Sequence, residues 1–188
     1  MGKGKFRTVL IVGAVFLLFG GLVFFFSGAS EGAEDGRAGA PGAPARLFAP
    51  AFVPPAGHIP YDNKKYGFGL YVPPDISVRE YDEGGGSATI VFEDSSGEKG
   101  FQIFITPYGE DKITPERFAL DHPMGVASDL SDATLGGNPA VSFSGRNQLL
   151  GETKEIWSIK NGFLYEATSY SRLSDWFLAI LTSWRWGS

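Results

Sequence analysis

Residues Thr8 to Phe26 read TVLIVGAVFLLFGGLVFFF, nineteen positions without a charge, and the uncharged run continues to Ser30 before Glu31 ends it. As a helix rising about 1.5 Å per residue, the nineteen would span roughly 28 Å, close to the hydrocarbon thickness of a bilayer. A run this apolar stays in water only inside a large surrounding core, and the glycine-rich stretch that follows cannot build one. The segment therefore reads as one transmembrane helix over 8–28, preceded by a short basic segment, 1–7, with Lys3, Lys5 and Arg7. Glu31, Glu34 and Asp35 crowd the other flank against a single Arg37. The basic end stays in the cytoplasm, which predicts a single-pass protein of the cell membrane with its C-terminal part outside. A cleaved signal peptide is the competing reading, with Ser27, Gly28 and Ala29 as small residues at a cleavage point. A secretory apolar region usually has about 7 to 15 residues, shorter than this one. Both readings export the remainder of the chain.

From Ser27 to Pro60, 21 of 34 residues are Gly, Ala or Pro. Such a stretch buries too little apolar area to offset chain entropy, so 29–60 is read as a tether. A flexible chain of this length has a root-mean-square span of about 30 Å, and its prolines stretch it further. Within it, Leu47-Phe48-Ala49-Pro50-Ala51-Phe52-Val53-Pro54-Pro55 is both apolar and proline-rich. It reads as a linker with incidental hydrophobes, as a patch that docks on the domain or lies near the membrane, or as an extended polyproline recognition strand.

From Tyr61 to Ser188 the pattern changes to short alternating runs between turn residues, the signature of strands. Phe68, Leu70 and Val72 share one side of the run Tyr66 to Val72, and Pro73-Pro74 stop it because proline cannot donate to a ladder. Ile76 to Tyr81 and Ser87 to Phe92 form a hairpin around Asp82-Glu83-Gly84-Gly85-Gly86. Phe101, Ile103 and Ile105 line one side of the next strand, with Phe104 on the other. Thr114, followed by Pro115, opens a helix over Thr114 to Leu120 that ends near His122-Pro123. Ala133 to Leu135 and Ala140 to Ser144 pair around Gly136 to Pro139. Asn161-Gly162 is the preferred type I′ turn, and it joins Lys154 to Lys160 with Phe163 to Tyr170. Pairing 160 with 163 puts Ile156, Phe163, Tyr165 and Ala167 on one face and Trp157, Ile159 and Leu164 on the other. Both faces of that hairpin should be covered. A last helix, with Ser174 as N-cap and Leu173 stapled to Leu178, supplies one cover through Trp176, Phe177, Ile180, Leu181 and Trp184.

Chemistry is harder to find. The chain has no cysteine and only His58 and His122, which removes thiol nucleophiles, Cys-ligated metals and most histidine catalysis. The net charge is −5, and residues 61–188 carry 11 basic and 18 acidic side chains, a balance of −7. Such a surface repels nucleic acid and anionic lipid and suits a basic protein partner or simply solubility. No G-x-S-x-G elbow and no phosphate-cradling GKS or GKT loop occurs. Asp121-His122, Glu93-Asp94 with Glu98, and Asp129 with Asp132 offer oxygen or nitrogen ligands, but the first has no second histidine nearby and neither acidic set fits the EF-hand calcium loop. A helix end and solvated acidic turns are the plainer readings. No residue is therefore assigned a catalytic, cofactor-binding or metal-binding role, and no cofactor is expected. Two rivals stay open: a surface hydrolase whose carboxylates meet only in the fold, and a carrier of an apolar ligand.

Three phrases resemble the PsbP-like (Mog1/PsbP) family. They are Tyr66-Gly67-Phe68-Gly69-Leu70-Tyr71-Val72-Pro73, then Leu135-Gly136-Gly137-Asn138-Pro139-Ala140, then Asn161-Gly162-Phe163-Leu164-Tyr165-Glu166-Ala167-Thr168 followed by Phe177 to Trp186. The resemblance implies an α+β domain over 61–188, an antiparallel sheet covered by helices on both faces, working as a non-catalytic binding or assembly module. Photosynthetic members support the oxygen-evolving complex from the lumenal side; this chain departs from them in its membrane anchor and in lacking a cleavable transit peptide. The expected protein is thus held in the membrane by its N-terminal helix and displays an extracytoplasmic module to another envelope or membrane-complex protein.

Overall fold

The computed structural model describes residues 54–113, 118, 128–147 and 150–187. The expected span over 8–28 and most of the tether fall outside them; among the described residues no helix is long and apolar enough to cross a membrane. In chain order the strands are β1 (Ile59–Asn63), β2 (Phe68–Val72), β3 (Ile76–Gly84), β4 (Ser87–Asp94), β5 (Gly100–Pro107), β6 (Ser128–Leu135), β7 (Asn138–Asn147), β8 (Gly151–Lys160) and β9 (Phe163–Tyr170). A 3-10 turn (Ser171–Leu173), the helix α1 (Ser174–Leu181) and the short β10 (Arg185–Trp186) close the chain. A seven-stranded sheet runs β3-β4-β5-β9-β8-β7-β6, and a three-stranded sheet runs β1-β2-β10. All pairings are antiparallel.

Local chemistry explains most of these boundaries. β2 ends at Val72 because Pro73 and Pro74 follow, and the Pro73 carbonyl accepts from Ile76 N at 3.1 Å to turn the chain into β3. At the β8–β9 turn Asn161 has φ 52° and Gly162 φ 77°, the left-handed pair a type I′ turn requires. Lys160 faces Phe163 and Ile156 faces Ala167, as the turn predicts. The first hairpin differs from expectation. Asp82 and Glu83 belong to β3, the turn narrows to Gly85-Gly86, and a bulge between Asp82 and Gly84 absorbs the extra residue.

Alternation then sorts the side chains of the large sheet onto two faces. On the first face Ile90, Phe92, Phe101, Ile103, Ile105, Ile156, Tyr165 and Ala167 meet Phe68, Leu70 and Val72 of the small sheet and Phe177, Ile180 and Leu181 of α1. Each large side chain buried this way contributes on the order of 1.5 to 3 kcal/mol. On the second face Tyr108, Phe143, Trp157 and Leu164 are buried together, with Ile113, Phe118, Val141 and Ile159 packed around them.

The expectation of helices on both faces is corrected by this arrangement. The first face is covered jointly by α1 and the small sheet, because β1 and β2 fold back over the large sheet and β10 returns to pair Trp186 with Phe68. Among the described residues the architecture is sheet-dominated, with α1 as its one complete α-helix. The helix expected over Thr114 to Leu120 lies outside the described residues except for Phe118, which meets Phe143 edge-on at 4.8 Å. α1 itself starts differently from the sequence reading. Leu173 occupies the cap position, and Ser174 Oγ donates to Ser171 O at 2.7 Å, so the 3-10 turn feeds straight into the helix. Leu178 is exposed, and the helix is held by Phe177, Ile180 and Leu181.

Candidate functional site

The acidic groups singled out in the sequence are placed separately. In the β4–β5 turn, Asp94 Oδ1 accepts from Glu98 N at 3.0 Å and Lys99 N at 3.3 Å, and Oδ2 accepts from Ser96 Oγ at 2.8 Å. Desolvation pushes the Asp94 carboxyl up, but the Ser96 hydroxyl and the amides of Lys99, Glu98 and Gly97 outweigh it and hold the group below its ordinary value. Glu93 instead pairs with Arg79 across the β3–β4 ladder. Asp129 sits inside a bulge of β6 at φ 57° and accepts from Ser144 Oγ at 3.4 Å, whereas Asp132 is back in register opposite Val141. Asp121 and His122 lie outside the described residues. His58 is held locally, its Nδ1 3.3 Å from Ala56 O. Among the described residues no three carboxylates or histidines gather as a metal site.

Two polar groupings escaped the sequence reading. The first latches the small sheet to the large one. Tyr61 Oη donates to Glu80 Oε1 at 2.6 Å, and Asn63 Nδ2 donates to Glu80 Oε2 at 3.2 Å and to Tyr61 Oη at 3.0 Å. Burial first, and then the Glu80 carboxylate, push the Tyr61 hydroxyl well above its ordinary value. The second lies within the second face. Glu155, only 6% exposed, accepts from Thr153 Oγ1 at 2.8 Å and from Trp157 Nε1 at 3.1 Å. Gly145 on β7 leaves the room, since a β-carbon there would stand 2.6 Å from Glu155 Oε1. The available signal was the alternation Thr153, Glu155, Trp157, Ile159, a carboxylate flanked by two donors on a strand side otherwise committed to the core. Glu166 shares that face, in register with Trp157. The fold thus sets two glutamates on neighbouring strands, and Glu155 accepts from two donors on its own strand.

The sheet edges complete the geometry. β3 carries Arg79, Glu80, Asp82 and Glu83 among nine residues. β6 carries only Asp129 and Asp132, and every residue from Ser128 to Asp132 is exposed, Leu130 at 59%. The acidic side chains are therefore distributed over a turn, a latch and an edge.

No family model matches the chain, and no curated protein sequence does. Among solved structures the chain is similar to the solution structure of cyanobacterial PsbP (CyanoP) from Synechocystis sp. PCC 6803. The similarity has 16% sequence identity and a TM-score of 0.48, over 74% of this chain and 98% of that one.

Proposed function

We propose that this chain is a membrane-anchored, extracytoplasmic, non-catalytic interaction or assembly module of PsbP-like build. Its partner would be another envelope or membrane-complex protein. The observation that carries the reading is the way the acidic groups are used: Asp94 ties a turn, Glu80 joins two sheets, Glu155 satisfies two buried donors, and Asp129 and Asp132 remain on an open edge. A body with its first face filled by side chains and its charge spread over the surface offers contact area to a partner. The uncharged run before it, set off by the Gly, Ala and Pro-rich spacer, supports display from a membrane. The phrases that resemble PsbP-like proteins fall on β2, on the β6–β7 turn and on the β8–β9 hairpin with α1, which is where they would shape the sheet.

Crosslinking in intact membranes, followed by identification of the neighbours, tests this. Reproducible attachment to one membrane-complex protein is expected, and consistent absence of any protein neighbour would overturn the reading. The topology has its own test. Alkaline carbonate should leave the full-length chain in the vesicles, and protease applied outside whole cells should digest the folded body; digestion only after the cells are opened would overturn the topology.

A further inference from the structure

β6 ends the large sheet, and among the described residues no strand pairs beyond it. The two-residue turn Gly136-Gly137 makes Leu135 and Asn138 a hydrogen-bonded pair. Pairs alternate from there, so Ala133 and Ser131 bond inward to Ala140 and Ser142 while Asp132 and Thr134 turn their N–H and C=O groups outward. Pro139 agrees with this phase. It stands opposite Thr134, so its ring nitrogen faces β8 and costs the β6–β7 ladder nothing, and Asn138 Nδ2 supplies the missing donor to Ile159 O at 2.7 Å.

Edges are usually blunted by charge, proline, bulges or shortness. β1 contains Pro60, and β10 has two residues. β3 carries four charges, with Glu80 engaged by Tyr61 and Asn63 and Arg79 by Glu93. β6 has no lysine, arginine or proline, and its bulge between Ser128 and Ser131 leaves Ser131 to Leu135 in regular register. Its two charges, Asp129 and Asp132, are both negative.

We infer that β6 is a docking edge that takes an extended, basic segment of a protein partner as an eighth strand of the large sheet. The inference rests on the reading of the body as an interaction module and names the chemistry of its partner. The outward groups of Asp132 and Thr134 supply the ladder bonds, and exposed Leu130 offers one apolar contact. Asp129, Asp132 and the balance of −7 over residues 61–188 select cations in the incoming segment. The same charge opposes a second copy on this edge, since like charges would meet across it.

The full-length chain in detergent, titrated with the peptide KVKVTVKV and with its counterpart EVEVTVEV, tests the inference. The basic peptide should bind, weaken as salt rises, and protect the amides of Asp132 and Thr134 from hydrogen exchange. Thr134→Pro removes one outward N–H and Asp132→Lys reverses a charge; each should weaken binding by roughly tenfold or more while the thermal melt is kept. Equal binding by Thr134→Pro, protection confined to other strands, or self-association through β6 overturns the inference. Exchange on the unaltered chain needs no variant, so a variant that fails to fold does not block the test. Photocrosslinkers placed at Leu130, 59% exposed, and at Asp75 in intact membranes separate the two levels. Neighbours found from Asp75 but never from Leu130 sink the docking edge alone, whereas none from either position sinks the module reading as well.

Discussion

On the first face of the large sheet Phe92 and Phe101 stack at 4.3 Å, Phe68 lies flat on Trp184 at 4.5 Å, and Trp184 Nε1 is buried without an acceptor among the described residues. On the second face the matching indole, Trp157, has a carboxylate waiting for it in Glu155. The two tryptophans separate two ways of filling space. The first face gains enough from area and ring packing to tolerate an orphan donor, which costs about 1 to 3 kcal/mol. Among the described residues the second has fewer large groups and keeps polar side chains, Thr153, Glu155 and Thr168, buried among them. Stability should therefore reside mainly in the first face, and the second should depend on whether each polar atom keeps its partner.

The largest expected effect is a charge placed in the first face. Ile180, 3% exposed, contacts the cluster shared by both sheets, so Ile180→Asp should cost about 4 kcal/mol or more and abolish cooperative unfolding. A soluble variant with a sharp urea transition would show that α1 is not part of that core. Next comes Gly136, at φ 56°, where a β-carbon would stand 2.7 Å from Trp184 Cδ1 and 3.0 Å from Trp186 Nε1. Gly136→Ala should cost about 2 to 3 kcal/mol through strain and displaced indoles, seen as a lowered urea midpoint and altered tryptophan fluorescence. Trp186 Nε1 donates to Leu135 O at 2.9 Å beside this turn, and an unchanged spectrum would show that the two indoles do not rest on it.

These elements were not equally legible. The faces of β5, β8 and β9 follow from alternation, and the register of the last hairpin follows from Asn161-Gly162, because both signals are contained within a few residues. The three-stranded sheet was hidden because β10 returns to β2 over more than a hundred residues, and two residues of strand leave no periodicity. Ser174 misled as a cap because a serine before an apolar stripe looks the same whether coil or a 3-10 turn precedes it. At the candidate site, the place of β6 at the end of the strand order among the described residues is a matter of topology, which composition does not encode. Asp129 and Asp132 were visible as acids, but their place on an edge was not.

The second face supplies a smaller and more discriminating test. Glu155→Ala leaves Trp157 Nε1 and Thr153 Oγ1 without their acceptor and should cost about 2 kcal/mol. Glu155→Gln keeps one acceptor oxygen and should cost about half as much, because the amide nitrogen cannot accept from the other donor. If the two variants melt alike, the carboxylate is a spectator and the contrast between the faces fails. A tie between Glu155→Gln and the unaltered chain would instead mean that a single acceptor is enough.

The smallest effect belongs to Asp94, which touches neither face. Its pKa is lowered from 3.8 in the folded chain, chiefly because hydrogen bonds from Ser96 and the Lys99, Glu98 and Gly97 amides overcome the opposing desolvation. A carboxyl depressed on folding contributes stability above its unfolded value and loses it as pH falls through the folded one. The urea midpoint should therefore decline below pH 3.8, and Asp94→Asn should flatten that limb slightly. The buried faces carry no part of this dependence if the Asp94→Asn and unaltered chains run parallel at neutral pH and converge in acid. Divergence that grows as pH falls would show that Asp94 is not the acid-sensitive carboxylate.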